Sequence, residues 1–289
     1  MTAKGTLIPI GGNEDKGIDE NEIYHLEYIE EGILSRVVKE SGGTSAMIVI
    51  IPTASSIPEE VGQNYLQAFR KLGCDNLHIM DIRERSQSEE SANIALLKKT
   101  DCIMFSGGDQ SKITQKIGGT IGHKIMMERY QSEKLVIAGT SAGAMCMSQE
   151  MIAGGSSQES FIKGAVHMSY GMEFISNLII DSHFIRRGRF GRLAEAVARF
   201  PELIGIGLAE DTGLVIKKST FEVIGSGMVI VFDARKAKHN NHEILEEGTP
   251  MSLTNLKTSI LANGDRFNIK KKKVKISPLE IPVKGTQSL

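Results

Sequence analysis

The sequence of 289 residues contains no tryptophan, and aromatic residues make up only 5% of it. Proteins that hold single-stranded nucleic acid often stack its bases on aromatic side chains, so this scarcity argues against that role. No apolar run approaches the roughly 20 residues that cross a bilayer. The formal net charge of −1 provides no general attraction to DNA or to an anionic membrane. We therefore expect neither a nucleic-acid partner nor a membrane partner.

Cysteine is also scarce. The three cysteines, Cys74, Cys102 and Cys146, are widely spaced and odd in number. They form no C-x-x-C pair, and no Cys/His cluster has the spacing of a metal site. The N-terminal segment lacks the basic, apolar and cleavage regions of a signal peptide. These absences predict a protein of the reducing cytoplasm without a structural metal.

The first half of the chain alternates between strand and helix patterns. Apolar, β-branched runs predict strands at residues 5–10, 46–52, 76–82, 102–108 and 134–140. Helical patterns separate them, at residues 19–40, 58–73, 88–99 and from the fourth strand to about residue 131. In the first of these helices one apolar stripe contains Ile23, Leu26, Ile29, Ile33 and Val37. Continuous apolar strands separated by helices indicate a mainly parallel sheet sandwiched by helices, which is an α/β fold.

The pattern changes after about residue 150. A strand at residues 176–184 and a helix at 186–200 are followed by short strands at 205–210, 213–218, 220–225 and 228–233. Short strands joined by turns predict an antiparallel extension at the edge of the sheet. We interpret residues 1–289 as one α/β domain, with a parallel half up to about residue 150 and a second half at about 151–289.

The segment "GTSAGAMC", residues 139–146, places Ser141 between small residues directly after a predicted strand. A strand, a tight turn and a helix would push this hydroxyl into the crevice at the carboxyl end of the sheet, as in a nucleophile elbow. The same residues also fit a serine that caps a helix without chemistry. In the first case the N–H of Ala142, at the start of the helix, would stabilise an oxyanion.

Two further strand ends carry the partners that a serine nucleophile needs. His183 follows the apolar run "NLIID", and Glu210 and Asp211 follow "GIGLA". The carboxyl ends of parallel strands meet at one edge of a sheet, so we expect a base and an acid to approach Ser141 there. These three strand ends predict Ser141 as nucleophile, His183 as base and an acidic residue that orients it.

A fourth strand end carries "FSGGDQ", residues 105–110. Its glycines permit close approach of the backbone to a ligand. We predict that the turn around Gly108 and Asp109 donates a second N–H to the oxyanion and that Gln110 contacts substrate. The alternative is a plain turn that caps a helix.

The segment "RRGRFGRL", residues 186–193, follows His183 and contains four arginines. On a helix Arg186, Arg189 and Arg192 would share a face, and Arg187 would lie on another. Arginines beside a catalytic histidine favour the binding of substrate carboxylates through bidentate hydrogen bonds. We therefore predict an exopeptidase or an enzyme that acts on aspartyl peptides, with Arg187, Arg189 and Arg192 in its substrate site.

Two other functions remain open on the residues alone. "GTSAG" satisfies the G-x-S-x-G pattern of α/β-hydrolase esterases, in which Asp211 with His239 or His242 would follow in the expected order. A protein that binds acidic or arginine-containing peptides without chemistry could use the same crevice.

Taken in order, "LIPIGGNEDK", "FSGGDQ", "GTSAGAM", "DSHFIRRGRFGRL" and "GLAEDTG" resemble the cyanophycinases, which are peptidase E-like serine peptidases. The resemblance extends to about residue 275. It implies a fold like that of class I glutamine amidotransferases, a homodimer, and cleavage of the polyaspartate backbone of cyanophycin to β-Asp-Arg dipeptides without a cofactor. By motif, Ser141, His183 and Glu210 would form the triad, and Gln110 and the arginines of residues 187–192 would bind substrate.

One position departs from the family pattern. Ser182 stands where the family has a glutamine directly before the catalytic histidine. A serine is shorter than a glutamine and has no amide, so a related aspartyl or isoaspartyl dipeptidase of the peptidase E type is the alternative function. Ser182 itself is a candidate substrate contact.

Overall fold

A computed structural model describes residues 3–17, 27–155 and 161–277. The helices in this part of the chain are α1 (Ile33–Glu40), α2 (Pro58–Lys71), α3 (Ser91–Leu97), α4 (Gln110–Ile117), α5 (Ile121–Ser132), α6 (Ala142–Met145) and α7 (Phe190–Arg199). The first strands are β1 (Thr6–Ile10), β2 (Ile48–Ile51), β3 (Leu77–Ile79), β4 (Cys102–Phe105), β5 (Val136–Thr140), β6 (Glu150–Gly155), β7 (Val166–Tyr170) and β8 (Leu178–Asp181). The remaining strands are β9 (Ile204–Leu208), β10 (Thr212–Lys217), β11 (Thr220–Gly225), β12 (Val229–Asp233), β13 (His239–Asn240), β14 (Leu253–Thr254), β15 (Lys257–Leu261), β16 (Arg266–Asn268) and β17 (Lys273–Lys275).

The largest sheet has nine strands in the order β17-β16-β11-β10-β1-β5-β4-β2-β3. The five strands from β1 to β3 in this order run parallel, as the apolar runs of the first half predict. The four strands from β10 to β17 are antiparallel and extend the sheet beyond β1. The predicted α/β class, with a mainly parallel sheet and an antiparallel extension, is confirmed.

Both faces of the parallel strands are covered, which explains why the strands are apolar throughout. Ile8 and Ile10 of β1 pack with helices α1 and α2 on one face. Leu7 points to the other face, into a cluster that includes residues of α3, α4, α5 and α6. The alternation along β1 follows from the opposite directions of successive side chains in a strand.

A second sheet, of four strands in the order β15-β12-β9-β8, packs on the same face as α3 to α6. Ile180 of β8 and Ile206 of β9 join the cluster that contains Leu7. The opposite face of this sheet is covered by α7 through Leu193 and Val197. The sequence predicted one extended sheet, but β8, β9 and β12 belong to this separate one. Apolar alternation specifies a strand and its faces without specifying its neighbours, so the pattern alone could not assign these strands to a sheet.

Two predicted helices are shorter than their patterns. Of the predicted helix of residues 19–40, the structure describes residues 27–40, and within them the helix begins at Ile33; residues 28–31 form turns in which Ile29 is 59% exposed. Ile33 and Val37 of the predicted stripe are buried, whereas Ile23 and Leu26 lie outside the described residues. The helix of residues 186–200 begins at Phe190.

The segment after Ser141 also differs from its prediction. A helix begins directly after this serine, as expected, but α6 contains only four residues. Residues 150–155 form β6, which pairs with β7 as an antiparallel hairpin. The sequence suggested a longer helix here because "AGAMCMSQEM" is rich in good helix formers.

Cys74, Cys102 and Cys146 are all buried free thiols. Across residues 3–17, 27–155 and 161–277, no cluster of His, Cys, Asp and Glu could hold a metal ion. Within the same residues no helix is long and apolar enough to cross a membrane.

Candidate active site

The chain bends sharply at Ser141, between β5 and α6. Ser141 has φ 51° and ψ −108°, a backbone conformation that L-residues rarely adopt. The bend brings Gly139 and Gly143 into direct backbone contact, since a Cβ added at Gly139 would lie 2.5 Å from the oxygen of Gly143. A Cβ at Gly143 would lie 2.6 Å from the oxygen of Phe105. At both glycines of the "GTSAG" segment the neighbouring backbone therefore leaves no room for a side chain.

Ser141, His183 and Glu210 form one hydrogen-bonded chain. His183 Nε2 lies 2.9 Å from Ser141 Oγ, and His183 Nδ1 lies 2.6 Å from Glu210 Oε1. The carboxylate selects the tautomer with the proton on Nδ1, which leaves Nε2 to accept the hydroxyl proton. The His183 side chain is 9% exposed, so the hydrogen-bonded chain is largely shielded from water while Ser141 stays half-buried.

One tight turn after β1 joins the three strand ends. The oxygen of Ile10 accepts the N–H of Ser141 at 2.8 Å, and the oxygen of Gly11 accepts the N–H of His183 at 2.8 Å. The oxygen of Gly12 accepts the N–H of Asp211, the neighbour of Glu210, at 2.9 Å. The turn belongs to "LIPIGGNEDK", so three successive carbonyls of one motif set the spacing of the site.

Gly12 also supports the imidazole from behind. Its φ is 105°, and an added Cβ would lie 2.4 Å from His183 Cε1. Only glycine meets both the backbone conformation and the contact. The histidine ring therefore lies against bare backbone, which restricts its rotation.

The second acid of the "GLAEDTG" segment faces away from the histidine. Asp211 accepts hydrogen bonds from Ser226 Oγ at 2.5 Å and from the N–H of Asp15 at 3.3 Å. Burial raises the pKa of the Asp211 carboxyl. Glu210 is thus the acid at the histidine, and Asp211 secures the loop that carries it.

Glu210 is held ionised by its neighbours. Burial opposes ionisation, but hydrogen bonds from Arg186 and His183 outweigh it and lower the pKa of the Glu210 carboxyl. Arg186 Nη1 donates to Glu210 Oε2 at 2.9 Å, on the oxygen that His183 does not use. Asn13, from the turn after β1, adds a further hydrogen bond.

The pKa of His183 is lowered from its ordinary value. Burial is the largest cause, and the positive charges of Arg187 and Arg189 act in the same direction against the opposing effect of Glu210. A lowered pKa keeps the imidazole neutral near pH 7, which is the state that can accept a proton.

A buried carboxylate lies behind the bend at Ser141. Glu14 is 1% exposed, and its Oε2 accepts a hydrogen bond from Thr140 Oγ1 at 2.6 Å. Its Oε1 accepts a hydrogen bond from the hydroxyl of Tyr65 on α2 and lies 3.2 Å from Lys16 Nζ. Burial opposes ionisation, but Lys16 and the hydroxyl donors outweigh it and lower the pKa of Glu14. This group fixes the residue that precedes Ser141.

The "FSGGDQ" segment lies beside Ser141, because a Cβ at Gly107 would lie 3.4 Å from Ser141 Cβ. The N–H of Asp109 donates to Ala54 at 2.9 Å, and its carboxylate caps α4 by accepting from Ser111 at 2.8 Å. Asp109 is therefore not available as an oxyanion donor, which corrects that prediction. Among the described residues, the N–H groups of Gly108 and Ala142 have no acceptor.

Gln110 is half-buried and faces the β6–β7 hairpin. Its side-chain Nε2 donates to the oxygens of Ile152 and Ala153 at 2.9 and 3.0 Å. Both amide hydrogens are used in this way, so only Oε1 remains for a substrate. The contact between Gln110 and substrate stays a prediction, and Gln110 Oε1 could make it only as a hydrogen-bond acceptor.

Two of the predicted substrate arginines face inward instead. Arg192 is 4% exposed and binds both oxygens of the fully buried Asp181, with Nε at 2.9 Å from Oδ2. Arg189 Nη1 donates to Asp181 Oδ1 at 3.1 Å and to the oxygen of Ser182 at 2.7 Å. The prediction that Arg192 binds substrate is wrong, because its guanidinium is consumed by Asp181. Arg189 is largely committed to the same group.

Arg187 differs from these two. Its side chain is exposed and makes no hydrogen bond or ion pair with the residues that the structure describes, whereas its backbone N–H donates to the oxygen of His183 at 3.0 Å. It lies close enough to His183 to influence its pKa. Arg187 is the predicted arginine that can still receive a substrate carboxylate.

Ser182 is fully buried, which excludes the predicted contact with substrate. Its Oγ donates to Met145 Sδ at 3.3 Å and lies 3.5 Å from Ser141 Oγ. Its side chain therefore packs beneath Ser141 and forms part of the support for that residue.

The esterase arrangement is not formed. His239 is exposed in β13, and His242 lies in a short 3₁₀ helix at residues 242–244. Neither ring makes a hydrogen bond with Ser141 or Asp211. The position next to Ser141 is occupied by His183.

The sequence profile of peptidase family S51 matches residues 23–224. The chain belongs to peptidase family S51. It is a serine-type peptidase, as the motif order predicts, which removes the non-catalytic binding protein as an alternative.

Three curated relatives carry the name cyanophycinase. The protein of Geminocystis herdmanii (strain PCC 6308) is 37% identical over 268 residues, 92% of this chain and 94% of its own length. That of Trichormus variabilis (strain ATCC 29413 / PCC 7937) is 36% identical over 93% of this chain and 87% of its own. The protein of Synechococcus elongatus is 31% identical over 92% of this chain and 80% of its own length.

A solved structure supports the fold. The crystal structure of a peptidase from an acI-B1 Actinobacterium superposes with a TM-score of 0.58 at 21% identity and covers 89% of this chain and 97% of its own. At this identity the likeness concerns the architecture.

Sequence reasoning missed Glu14, Arg186 as the partner of Glu210, and Asp181 as the partner of Arg189 and Arg192. A signal existed for Glu14, because two glycines and an acid at the end of β1 resemble the other strand ends of the site. Asp181 directly follows "NLII", where a buried acid requires a cation.

Proposed function

We propose that this S51 peptidase hydrolyses cyanophycin to β-Asp-Arg dipeptides, as an exopeptidase with Ser141 as nucleophile, His183 as base and Glu210 as its orienter. The observation that carries the proposal is the chain of 2.9 and 2.6 Å hydrogen bonds from Ser141 through His183 to Glu210. The names of the three relatives support the substrate.

In acylation, His183 Nε2 takes the hydroxyl proton while Ser141 Oγ attacks the scissile carbonyl. The carbonyl becomes a tetrahedral oxyanion, and His183 becomes an imidazolium that Glu210 stabilises. His183 then gives its proton to the leaving amine as the C–N bond breaks. The products of this half-reaction are an acyl-enzyme ester on Ser141 and a free amine.

In deacylation, a water molecule replaces the amine. His183 takes a proton from the water, whose oxygen attacks the ester carbonyl. Collapse of the second tetrahedral intermediate breaks the ester, and His183 returns the proton to Ser141 Oγ. The cycle restores the enzyme, and none of its steps calls for a cofactor.

The oxyanion is proposed to accept the N–H groups of Ala142 and Gly108. Ala142 begins α6 directly after the nucleophile, and Gly108 lies in the turn that contacts Ser141. Their lack of acceptors in the described residues supports this role. Preorganised donors of this kind stabilise the charge that develops in the transition state.

The proposed substrate has free carboxylates, and Arg187 is the group to receive one. The exposed guanidinium lies near His183, with no competing carboxylate in the described structure. A guanidinium can bind a carboxylate through two parallel hydrogen bonds. Arg187 would thus fix the peptide end relative to the nucleophile.

The alternative substrate is a smaller aspartyl or isoaspartyl peptide. Ser182 favours it, because a buried serine replaces the glutamine of the family pattern and leaves the substrate without that amide. The two possibilities share nucleophile, base and orienter, so they differ only in what the crevice accepts.

Mass spectrometry of soluble products after incubation with insoluble cyanophycin tests the proposal. We expect β-Asp-Arg with the wild type and none with Ser141→Ala, since loss of a triad member lowers kcat by about 10⁴-fold or more. Release of aspartyl dipeptides from small peptides alone would select the alternative substrate. Equal release by the Ser141→Ala variant would refute the assignment of the nucleophile.

A histidine pair tests the base. His183→Ala is expected to abolish labelling of Ser141 by a fluorophosphonate probe. The His239→Ala variant is expected to be labelled at Ser141 to the same extent as the wild type. The reverse result would assign the base to the downstream histidine of the esterase arrangement.

The homodimer and the cytoplasmic location stay predictions. Static light scattering on the purified chain tests the first, and fractionation of cells that express it tests the second.

A further inference from the structure

A cavity of about 420 Å³ lies beside α7, away from Ser141. Its ionisable lining residues are Lys163, Glu195, Arg199, His242, Glu243 and Glu247. No residue of the Ser141, His183 and Glu210 chain lines it. Helix α7 begins after the loop of His183 and ends at Arg199, and its ten residues span about 15 Å. The cavity is therefore separate from the candidate active site.

Two buried polar side chains in its wall have unused hydrogen-bonding capacity. Glu195 is 3% exposed, and its Oε1 accepts the N–H of Gly164 at 2.8 Å, but its Oε2 has no donor among the described residues. His242 is 7% exposed, and its ring makes no hydrogen bond within residues 3–17, 27–155 and 161–277. Buried polar groups are normally paired, because leaving them unpaired costs free energy. A polar ligand would supply the missing partners.

The charges of the wall are mixed. Two cations, Lys163 and Arg199, face three carboxylates, Glu195, Glu243 and Glu247. Lys163 Nζ is already bound to the oxygen of Leu245 at 2.6 Å. The Arg199 side chain is exposed and lies over the Phe200 ring, 5.3 Å from the ring centroid, and it makes no hydrogen bond or ion pair with the described residues. The Arg199 guanidinium thus keeps its hydrogen-bond donors for a ligand. Burial raises the pKa of the Glu195 carboxyl, and the wall has an excess of one negative charge when all three carboxyls are ionised.

Burial and the neighbouring Lys163 and Arg199 lower the pKa of His242. The ring is therefore neutral near pH 7 and can donate one hydrogen bond and accept another. It adds hydrogen-bonding capacity to the wall without changing the balance of charge.

We propose that this cavity binds a free α-amino acid with a cationic side chain. The carboxylate of the ligand would pair with the Arg199 guanidinium, and its cationic groups would face Glu195, Glu243 and Glu247. Such a ligand carries a net charge of about +1, which complements the wall. A phosphate would meet three carboxylates, and a simple amine would leave Arg199 unpaired. This site does not depend on the proposed function of Ser141.

Isothermal titration calorimetry of the full chain with L-arginine tests the proposal. We expect saturable binding of one ligand per chain, and weaker binding of agmatine, which keeps the guanidinium but lacks the carboxylate. Arg199→Ala is expected to weaken the binding of L-arginine by roughly tenfold or more, because a charge-assisted pair is lost.

Arg70→Ala is the matched control. Both arginines are exposed residues in the last turn of a helix, so both substitutions remove the same interaction with the helix end. Arg70 lies on α2, on the opposite face of the large sheet. The Arg70→Ala variant is therefore expected to bind L-arginine with the same affinity as the wild type. Glu247→Gln is a second test of the cavity, at an exposed position that should tolerate the change.

Three results would overturn the proposal. One is the absence of binding by the wild type at millimolar ligand. Another is normal binding by both Arg199→Ala and Glu247→Gln. The third is loss of binding in Arg187→Ala with normal binding in Arg199→Ala, which would assign the ligand to the crevice of Ser141.

Discussion

The two walls of the catalytic crevice are built in different ways. The elbow wall, residues 139–143, consists of small residues whose backbones touch, and its contacts are steric. The ion-pair wall, residues 181–192 with Glu210, is held by arginines and carboxylates. One wall has no room for an added methyl group, and the other has buried charges that need their partners. Ser141 and His183 are thus positioned by different kinds of interaction.

The difference has a physical cause. Ser141 needs a conformation with positive φ, which close packing around glycines can enforce. His183 also has positive φ, yet in the proposed mechanism it bears a positive charge during each turnover. Glu210 and its arginine supply a polar setting for that charge. Changes in shape should therefore damage the elbow wall, and changes in charge should damage the ion-pair wall.

The largest expected effect comes from uncovering a buried charge in the ion-pair wall. Arg192→Met leaves Asp181 with Arg189 alone and should lower the free energy of unfolding by about 3 kcal/mol, the low end for a broken buried pair. The measurement is the urea midpoint. Arg187→Met, at the exposed arginine of the same segment, should change stability by no more than about 0.5 kcal/mol. Equal losses would mean that Asp181 does not depend on Arg192.

A single methyl group should break the elbow wall. Gly143→Ala places Cβ 2.6 Å from the oxygen of Phe105, and such overpacking should cost about 2 kcal/mol of stability and lower kcat. Gly154→Ala in β6 is the control, because its Cβ would meet nothing nearer than 3.8 Å. If the two variants unfold at the same urea concentration, the steric account of this wall is incorrect.

A smaller loss should follow when the support behind the elbow wall loses one hydrogen bond. Thr140→Val keeps the shape but removes the donor to Glu14, which leaves a buried carboxylate oxygen short of a partner and should cost about 1 kcal/mol. Thr114→Val removes a hydroxyl that bonds only within α4 and should cost less. Thermal unfolding of both variants decides between them. A larger loss at Thr114 would contradict the role given to Glu14.

The smallest expected effect is a shift in the pH dependence of activity, and it tests the electrostatic influence of Arg187 on His183 in the ion-pair wall. The pKa of His183 is lowered by burial and by Arg187, so the acid limb of kcat/KM should lie below the ordinary histidine pKa of about 6.5. Arg187→Ala removes a positive charge, which should raise the pKa of His183 and move the limb to higher pH. Arg187→Lys keeps the charge and should leave the limb in place. A limb that stays fixed in Arg187→Ala would show that Arg187 does not act on His183.

The placement of Ser141, His183 and Glu210 at strand ends could be predicted from the apolar run before each of them. The three strands do not share one sheet edge, because β5 lies in the large sheet and β8 and β9 lie in the second, and the turn at residues 10–12 brings their ends together. The arginines could not be sorted in the same way. The helix pattern of residues 186–200 suggested that Arg192 faces the crevice, but the helix begins only at Phe190. On this helix Arg192 is buried and binds Asp181. The start of a helix depends on the turn before it, which here includes Gly188 with φ 59°.

The separate second sheet could not be predicted from the sequence, for a related reason. Its strands β8 and β9 carry the residues that precede His183 and Glu210, and they lie parallel to each other without joining the large sheet. Their apolar side chains fit either arrangement. The choice depends on packing against the cluster around Leu7 and against α7, and these long-range contacts are not encoded in a local pattern.

The sequence by itself determined the α/β class, the family and the order of Ser141, His183 and Glu210 at the ends of apolar strands, because strand periodicity and glycine-rich turns are local properties. The tertiary structure alone decided which acid faces His183, which arginines remain free and how closely the walls approach. Those features depend on the turn at residues 10–12, whose carbonyls bind three distant segments. Such bonds join residues far apart in the chain, so they exist only after the strands have packed.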